Sequence, residues 1–258
     1  EVFEGILKNE KSEQRVAVKV IPKSVSNSKL IQDEIAILKR ITHEHVVQFI
    51  NQYHTKNNTY IITELCALGT FKQFIGQNYP DRVVPEPHIR KYFKQVCLGI
   101  AELHKQKIVH RDLKLDNIFI TSKYVLKIGD FGFAKVIGDD QVLTSFKGTP
   151  INMAPEIFRL AGKKAETYDS KCDIWSLGTL LYEMLYGKFI VTSVKTMKEL
   201  QAFLLSEESL VLPRMGGVSP EAEDILLKML CKDPQSRVSM EQVLAHDFLR
   251  DCDETSVD

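Results

Sequence analysis

The sequence predicts an α+β protein with two lobes, a small β-rich N-lobe and a larger, mainly helical C-lobe. Runs rich in β-branched residues, separated by polar turns, fill most of residues 1–64, a pattern that is typical of strands. After residue 70 apolar residues recur at three- and four-residue spacing, as they do along amphipathic helices. Residues 108–120 form a polar stretch with apolar β-formers at both ends, so we expect a loop held rigidly at the edge of a core.

Composition is that of an ordinary globular protein. The 258 residues allow one large domain or two lobes that share a cleft. The net charge of zero gives no electrostatic basis for binding nucleic acid, and no apolar run approaches the roughly 18 residues that a membrane span needs. The five cysteines are scattered without a C-x-x-C pair, which predicts reduced thiols. We therefore expect an intracellular, cytoplasmic protein with no nucleic-acid partner and no membrane span.

In the N-lobe the pattern predicts four strands and one helix. The helix starts near Ser28, and its apolar face is interleaved with charged residues. Glu34 lies one position from that face and is either an ordinary solvated residue or a partner for a strand lysine. Residues 65–70 have no periodicity, which predicts a hinge. The predicted strands are residues 2–7, 15–21, 46–53 and 59–64.

In the C-lobe the pattern predicts mainly helices and a long irregular segment. The segment 170–187 is apolar nearly all round, so we expect it to be a buried helix. A strand is predicted at 126–128, and residues 130–156 have little helical pattern. We predict one domain, residues 1–258, with an N-lobe (1–64), a hinge (65–70), a C-lobe (71–250) and a tail (251–258). The other predicted helices are residues 71–77, 86–105, 197–205, 219–230 and 239–249.

The polar loop carries the most specific motif in the chain. Its residues 110–117 match H-R-D-L-x-x-x-N, the catalytic-loop signature of protein kinases. A surface loop rich in salt bridges is the alternative for an isolated H-R-D, but here all positions match and further markers follow in order. The chain thus resembles a eukaryotic protein kinase of the serine/threonine type. The other markers are V-A-V-K at 16–19, Glu34, D-F-G at 130–132, G-T-P at 148–150, A-P-E at 154–156, D-x-W-x-x-G at 173–178 and Arg237.

The resemblance implies transfer of the γ-phosphate of ATP to protein hydroxyls. Asp112 would accept the hydroxyl proton, and Lys114 would stabilise charge on the transferring phosphate. Lys19, paired with Glu34, would orient the α- and β-phosphates, although a strand lysine alone can equally face solvent. The residues implied in catalysis are Lys19, Glu34, Asp112, Lys114 and Asn117.

The resemblance also implies a site for ATP and Mg²⁺. Asn117 and Asp130 would hold the metal, because their oxygen ligands suit a hard cation. Backbone groups of Glu64 and Cys66 would bind adenine, and Thr63 would lie at the back of the pocket. The residues implied in nucleotide binding are Val2, Ala17, Lys19, Thr63, Glu64, Cys66, Phe119 and Asp130, of which Val2, Ala17 and Phe119 would sandwich the adenine ring.

Partners are implied in the same way. The substrates would be proteins with serine or threonine acceptors. An upstream kinase would phosphorylate Ser145 or Thr144, and Arg111 would bind that phosphate. The alternative is that these residues are two exposed hydroxyls in a flexible loop. Thr149 of the G-T-P motif would hydrogen-bond Asp112 and Lys114.

Two acidic residues bear on the choice of substrate. Asp116 and Glu183 match positions that face arginine of the substrate in basic-directed relatives. Both are carboxylates that can pair a guanidinium through charge-assisted hydrogen bonds. Such carboxylates also occur in relatives without a basic preference, so the sequence leaves two alternatives open: a preference for basic residues upstream of the acceptor, or none.

One departure from the family pattern concerns the Gly-rich phosphate loop, which should lie just before Val2 with the first strand. Both are absent from this sequence, and we expect that they were trimmed. The alternative is a pseudokinase scaffold that lacks a functional Gly-rich loop. The segments D-F-G-F-A at 130–134 and M-A-P-E at 153–156 look similar to the Unc-51-like and calmodulin-dependent-like groups.

Overall fold

The structure is a computed structural model. It describes the chain except residues 10–11, 27–28, 138–147, 160–168, 192–193, 195, 209, 214 and 251–258. The N-lobe is one antiparallel sheet with strand order β1-β2-β4-β3, covered by a helix. Its elements are β1 (Val2–Asn9), β2 (Ser12–Pro22), α1 (Lys23–Ser26), α2 (Lys29–Arg40), β3 (Phe49–His54) and β4 (Asn58–Glu64).

The register of β2 places two of the predicted site residues on one face of the sheet. Ala17 pairs with Thr63, and Lys19 pairs with Ile61 on the neighbouring strand. Because side chains alternate along a strand, Ala17 and Lys19 point to the same side. That side faces the cavity between the lobes.

The helix α2 forms because its apolar residues recur on one face. Ile37 and Leu38 are buried there, and Ile41 just after the helix is buried as well. Lys39 and Arg40 in the last turn complement the negative end of the helix dipole. Glu34 is also buried, with 3% of its surface exposed. A buried carboxylate requires a partner, so the solvated alternative for Glu34 is wrong.

The C-lobe is built around one central helix, as the sequence predicts. This helix, α6 (Lys171–Tyr186), has 14 buried residues among its 16, and Trp175 at its centre is fully buried. The predicted α+β class with a helical C-lobe is confirmed. The remaining elements are α3 (Phe71–Asn78), α4 (Glu86–Lys105), β5 (Ile108–Val109), β6 (Ile118–Ile120), β7 (Leu126–Ile128), β8 (Lys135–Val136), α5 (Pro155–Arg159), α7 (Met197–Leu205), α8 (Pro220–Met229), α9 (Met240–Leu244) and α10 (Asp247–Arg250).

Two predicted elements differ from the structure. The strand expected from Val46 begins only at Phe49, because Val46 instead forms a bridge with Ile128 of the C-lobe. The helix expected over residues 239–249 is interrupted at His246, whose Nδ1 accepts a hydrogen bond from the Phe248 amide at 3.2 Å and starts a new turn. In both cases a contact that the sequence periodicity does not reveal changes where the element begins or ends.

Two predictions about the whole chain have different outcomes. Among the helices of the described residues, none combines the length and apolar character needed to cross a bilayer. The division into lobes, hinge and tail at the residues given above stays a prediction.

The helix α4 packs against the small strands through a glycine. A Cβ atom on Gly99 would lie 2.6 Å from a methyl of Ile128 and 2.7 Å from the His45 carbonyl oxygen. We expect Gly99→Ala to lower the free energy of unfolding by about 1–3 kcal/mol, as overpacking does. Gly76→Ala in α3 is the matched control, because nothing lies within 4 Å of its Cβ position. Urea titration of both variants tests this, and equal effects would contradict the packing argument.

Candidate active site

A cavity of about 610 Å³ lies between the N-lobe sheet and the C-lobe. All eight residues predicted to bind nucleotide line it, together with Glu34. Asp112, Lys114 and Asn117 are not among the lining residues and lie beside it on the loop that follows β5. The eight residues are Val2, Ala17, Lys19, Thr63, Glu64, Cys66, Phe119 and Asp130.

On the N-lobe side, Lys19 and Glu34 form an ion pair. Lys19 Nζ lies 2.5 Å from Glu34 Oε1 and 4.0 Å from Asp130 Oδ1. The second carboxylate oxygen of Glu34 is buried without a hydrogen-bond partner in the described part of the chain. The lysine is therefore fixed at the cavity wall by a buried anion, with its ammonium directed toward Asp130.

On the C-lobe side, Asp112 is surrounded by hydrogen-bond donors. Its Oδ1 accepts bonds from the amide and hydroxyl of Thr149, both at 2.7 Å. Its Oδ2 accepts a bond from Asn117 Nδ2 at 2.9 Å and lies 2.8 Å from Lys114 Nζ. Burial raises the pKa of Asp112, but the bonds from Lys114, Thr149 and Asn117 outweigh it and lower the pKa below the usual value. Asp112 is thus ionised at neutral pH.

The position of Thr149 depends on the glycine before it. Gly148 has a φ of 121°, and a Cβ atom there would lie 2.4 Å from the carbonyl oxygen of Arg111. Only glycine fits this close approach. As a result, Thr149 contacts both Asp112 and Lys114. Lys114 Nζ donates a hydrogen bond to the Thr149 hydroxyl at 2.8 Å. The predicted hydrogen bond between Thr149 and Asp112 is confirmed.

The catalytic-type loop is held from below by Asp173 of α6. Its carboxylate accepts hydrogen bonds from the backbone amides of His110 and Arg111, each at 2.9 Å, and lies 2.9 Å from His104 Nε2. Burial raises the pKa of Asp173, yet its hydrogen bonds and the nearby histidines lower it overall. In the sequence, Asp173 was identified only as a motif residue, and its positioning role was missed. An acidic residue within a helix predicted to be buried was the signal that could have indicated it.

The oxygen atoms available for a cation come from Asn117 and Asp130. Both side-chain hydrogen bonds of Asn117 use its amide nitrogen, so its amide oxygen remains for coordination. The backbone amide of Gly129 donates a hydrogen bond to the backbone carbonyl of Asn117 at 3.0 Å. This bond places Asp130, the next residue, beside Asn117. Among the described residues no group of three His, Cys, Asp or Glu side chains forms a metal cluster. This donor set fits a hard cation that takes its other ligands from a bound phosphate.

At the hinge, Glu64 and Cys66 bound the cavity. The Glu64 carboxylate is held by Lys127 Nζ at 2.8 Å and by the Gln48 amide at 2.7 Å, so it faces these groups. Burial, and then the charge of Glu64, raise the pKa of the Cys66 thiol to about 12. The thiol therefore stays neutral, and the hinge side of the cavity carries no reactive cysteine.

Comparison with known proteins decides the family. The model of the protein kinase domain matches residues 1–249. The chain belongs to the protein kinase family. The motif resemblance and the two-lobed architecture agree with this membership, and the kinase family uses ATP, typically with magnesium.

This kinase is similar over most of its length to several serine/threonine-protein kinases. ULK3 of Xenopus laevis is 33% identical over 91% of this chain and 49% of its own length. CDC5/MSD2 of Saccharomyces cerevisiae is 34% identical over 92% of this chain and 32% of its own length. PLK2 of Mus musculus is 33% identical over 90% of this chain. The chain thus spans about a third to about a half of the length of these relatives. The match to ULK3 is consistent with the Unc-51-like group predicted from the sequence.

The residues predicted to act in regulation and substrate choice stay predictions. Ser145 and Thr144 lie outside the described residues. Arg111 donates from Nε to the Phe133 carbonyl at 2.6 Å. Asp116 forms an ion pair with Lys72 at 2.9 Å, a contact that sequence reasoning missed because the two residues are 44 positions apart and share no local pattern.

Proposed function

We propose that this chain is the catalytic domain of an ATP-dependent serine/threonine protein kinase. The observation that carries the proposal is the arrangement of Asp112, Lys114 and Thr149, in which an ionised carboxylate lies 2.8 Å from a lysine and 2.7 Å from a threonine hydroxyl. Such a group can accept a hydroxyl proton from a substrate next to a cationic charge that neutralises the transferring phosphate. The names of the relatives support the same activity.

In this proposal, each residue has a distinct task. Asp112 orients the acceptor hydroxyl and takes its proton, while Lys114 offsets the negative charge on the transferring group. Lys19 binds the α- and β-phosphates, and Glu34 holds Lys19 in place. Asn117 links Asp112 to the proposed metal site, because its side-chain nitrogen donates to the Asp112 carboxylate and its side-chain oxygen can bind a cation.

The nucleotide would lie in the cavity of about 610 Å³. Val2, Ala17 and Phe119 offer apolar surface for the adenine, and Glu64 and Cys66 offer backbone groups at the hinge, with Thr63 behind them. Asn117 and Asp130 would hold Mg²⁺, which supplies charge neutralisation on the phosphates.

The partners follow from the proposed activity. The substrates are proteins with serine or threonine acceptors inside the cell, and an upstream kinase acts on Ser145 or Thr144. A binding scaffold without activity is not favoured, because the residues for catalysis are present and ordered around one another. The test is incubation of the purified protein with ATP, Mg²⁺ and a peptide pool, followed by mass spectrometry. Phosphoserine and phosphothreonine products are expected, and a folded protein that modifies no peptide would overturn the proposal.

Replacing Lys19 separates catalysis from nucleotide affinity. We expect Lys19→Met to lower the rate of phosphate transfer by at least about a hundredfold, because an interaction with the reacting phosphates is lost. ATP affinity should fall much less, since the hinge and the apolar walls are unchanged. Calorimetric titration with ATP and a peptide assay measure the two quantities. Lys23→Met, just after β2, is the control, and a proportional loss of affinity and rate in Lys19→Met would contradict the assigned role.

A further inference from the structure

A second cavity of about 600 Å³ lies next to the first. Gln73 of α3 lines both cavities, and Asp116 in the second is four residues after Asp112 in the same loop. A peptide whose hydroxyl lies at Asp112 therefore passes this second cavity. Side chains near the acceptor are the groups that it would accommodate.

The cavity contains more cationic than anionic side chains. Lys72, Arg82 and Lys188 line it with Asp116 and Glu183. The lining thus holds three cations and two carboxyl groups. On charge alone, this cavity does not attract a basic guest.

Asp116 already has a cationic partner. Lys72 Nζ lies 2.9 Å from Asp116 Oδ2, and both side chains are partly exposed. A guanidinium or ammonium from a substrate would have to displace Lys72 before it could pair with Asp116. Displacement would leave two cations close together in one cavity, which is unfavourable.

Glu183 offsets the positive charge of the cavity only in part. Burial raises the pKa of Glu183, the charge of Lys72 opposes that rise, and Asp116 adds to it while Arg82 lowers it, with a net pKa of about 7. Near neutral pH this carboxyl group is therefore only partly ionised. The cavity offers a basic guest less than one free negative charge.

We propose that Lys72 is a specificity-determining residue that occupies the place of a substrate's basic side chain at Asp116, so that this kinase selects acidic over basic side chains near the acceptor. The inference rests on the proposed kinase activity and is the opposite of the preference for arginine, one of the two alternatives that Asp116 and Glu183 leave open in the sequence. The difference arises because the sequence gives no sign that Lys72 faces Asp116.

The test compares wild type with Lys72→Gln on three peptide series that carry Glu, Gln or Arg at each position upstream of one serine. In wild type we expect the Arg peptides to have a KM about fivefold higher than the Glu peptides at the sensitive position, the size of one exposed charge pair. In Lys72→Gln the order should reverse, with kcat and the KM for ATP unchanged. Lys188→Gln is the matched control, because Lys188 lines the cavity but leaves the Lys72–Asp116 pair intact. It should keep the wild-type order.

Equilibrium binding of the same peptides, labelled and followed by fluorescence anisotropy, decides the role of Lys72 even without turnover. The double variant Lys72→Gln/Asp116→Asn should lose the gain in Arg affinity. A wild type that already prefers Arg, or a Lys72→Gln variant with the wild-type order, would overturn the inference. Peptides that bind with the expected order but are never phosphorylated would instead count against the proposed activity alone.

Discussion

Asp112→Asn is expected to lower the rate of phosphate transfer by about a thousandfold, or roughly 4 kcal/mol in the barrier. The substitution keeps the size of the side chain but removes the charge that lies 2.8 Å from Lys114 Nζ. It also removes the base that the proposed mechanism needs. Asp130→Asn should have an effect of similar size, because it weakens one of the two oxygen ligands proposed for Mg²⁺. Steady-state transfer to a serine peptide measures both variants.

The control for these variants is Asp224→Asn. Asp224 makes an ion pair with Lys228 on the surface of α8, so the same chemical change there should leave activity at the wild-type level. Circular dichroism and ATP titration show whether Asp112→Asn retains the fold and the nucleotide site. Wild-type turnover by a pure preparation of either active-site variant would exclude the role assigned to that residue.

Glu156→Ala is expected to lower the free energy of unfolding by about 3–5 kcal/mol, because it leaves a buried guanidinium without its anion. Arg237 is fully buried and donates to both carboxylate oxygens of Glu156, at 2.6 and 2.9 Å. It also donates to the Cys231 carbonyl and lies over the Trp175 ring, 5.3 Å from its centroid. The pair ties the A-P-E segment to the centre of the C-lobe. Denaturant unfolding monitored by fluorescence measures the loss.

Glu4→Ala provides a matched comparison. Glu4 also accepts two bonds from one arginine, Arg15, but this pair is exposed on the sheet. Its removal should leave the unfolding free energy nearly unchanged, since water replaces the lost partner. Adding Arg237→Met to Glu156→Ala should recover part of the stability. Equal losses in Glu156→Ala and Glu4→Ala would contradict the burial argument.

Local patterns predicted much of the fold. The sequence pattern of α6 predicted its burial, because a helix that is apolar on all sides has no polar face to expose to solvent. The V-A-V-K strand and the helix with Glu34 were predicted separately, and their ion pair was inferred by resemblance. The break at His246 was not predictable, because a side-chain nitrogen that accepts one amide leaves no trace in the periodicity.

The candidate site was predictable where its residues belong to motifs. The residues around Asp112 lie within two short motifs, so spacing identified them. The pair Lys72–Asp116 joins a helix to a loop across 44 positions, and neither partner belongs to a pattern that names the other. Electrostatic partners set by tertiary packing are therefore the part of the site that the sequence left open. The subgroup and the identity of the upstream kinase stay predictions.

The most direct test of the central claim uses four peptides that differ only in the acceptor residue, which is Ser, Thr, Tyr or Ala. Each is incubated with the purified full-length protein and ATP, in Mg²⁺ or in excess chelator, and the increase in peptide mass is followed over time. We predict phosphate on the Ser and Thr peptides in Mg²⁺, none on the Ala peptide, little on the Tyr peptide and none with chelator. Modification of Tyr in preference to Ser and Thr, or transfer that persists without a divalent cation, would contradict the account.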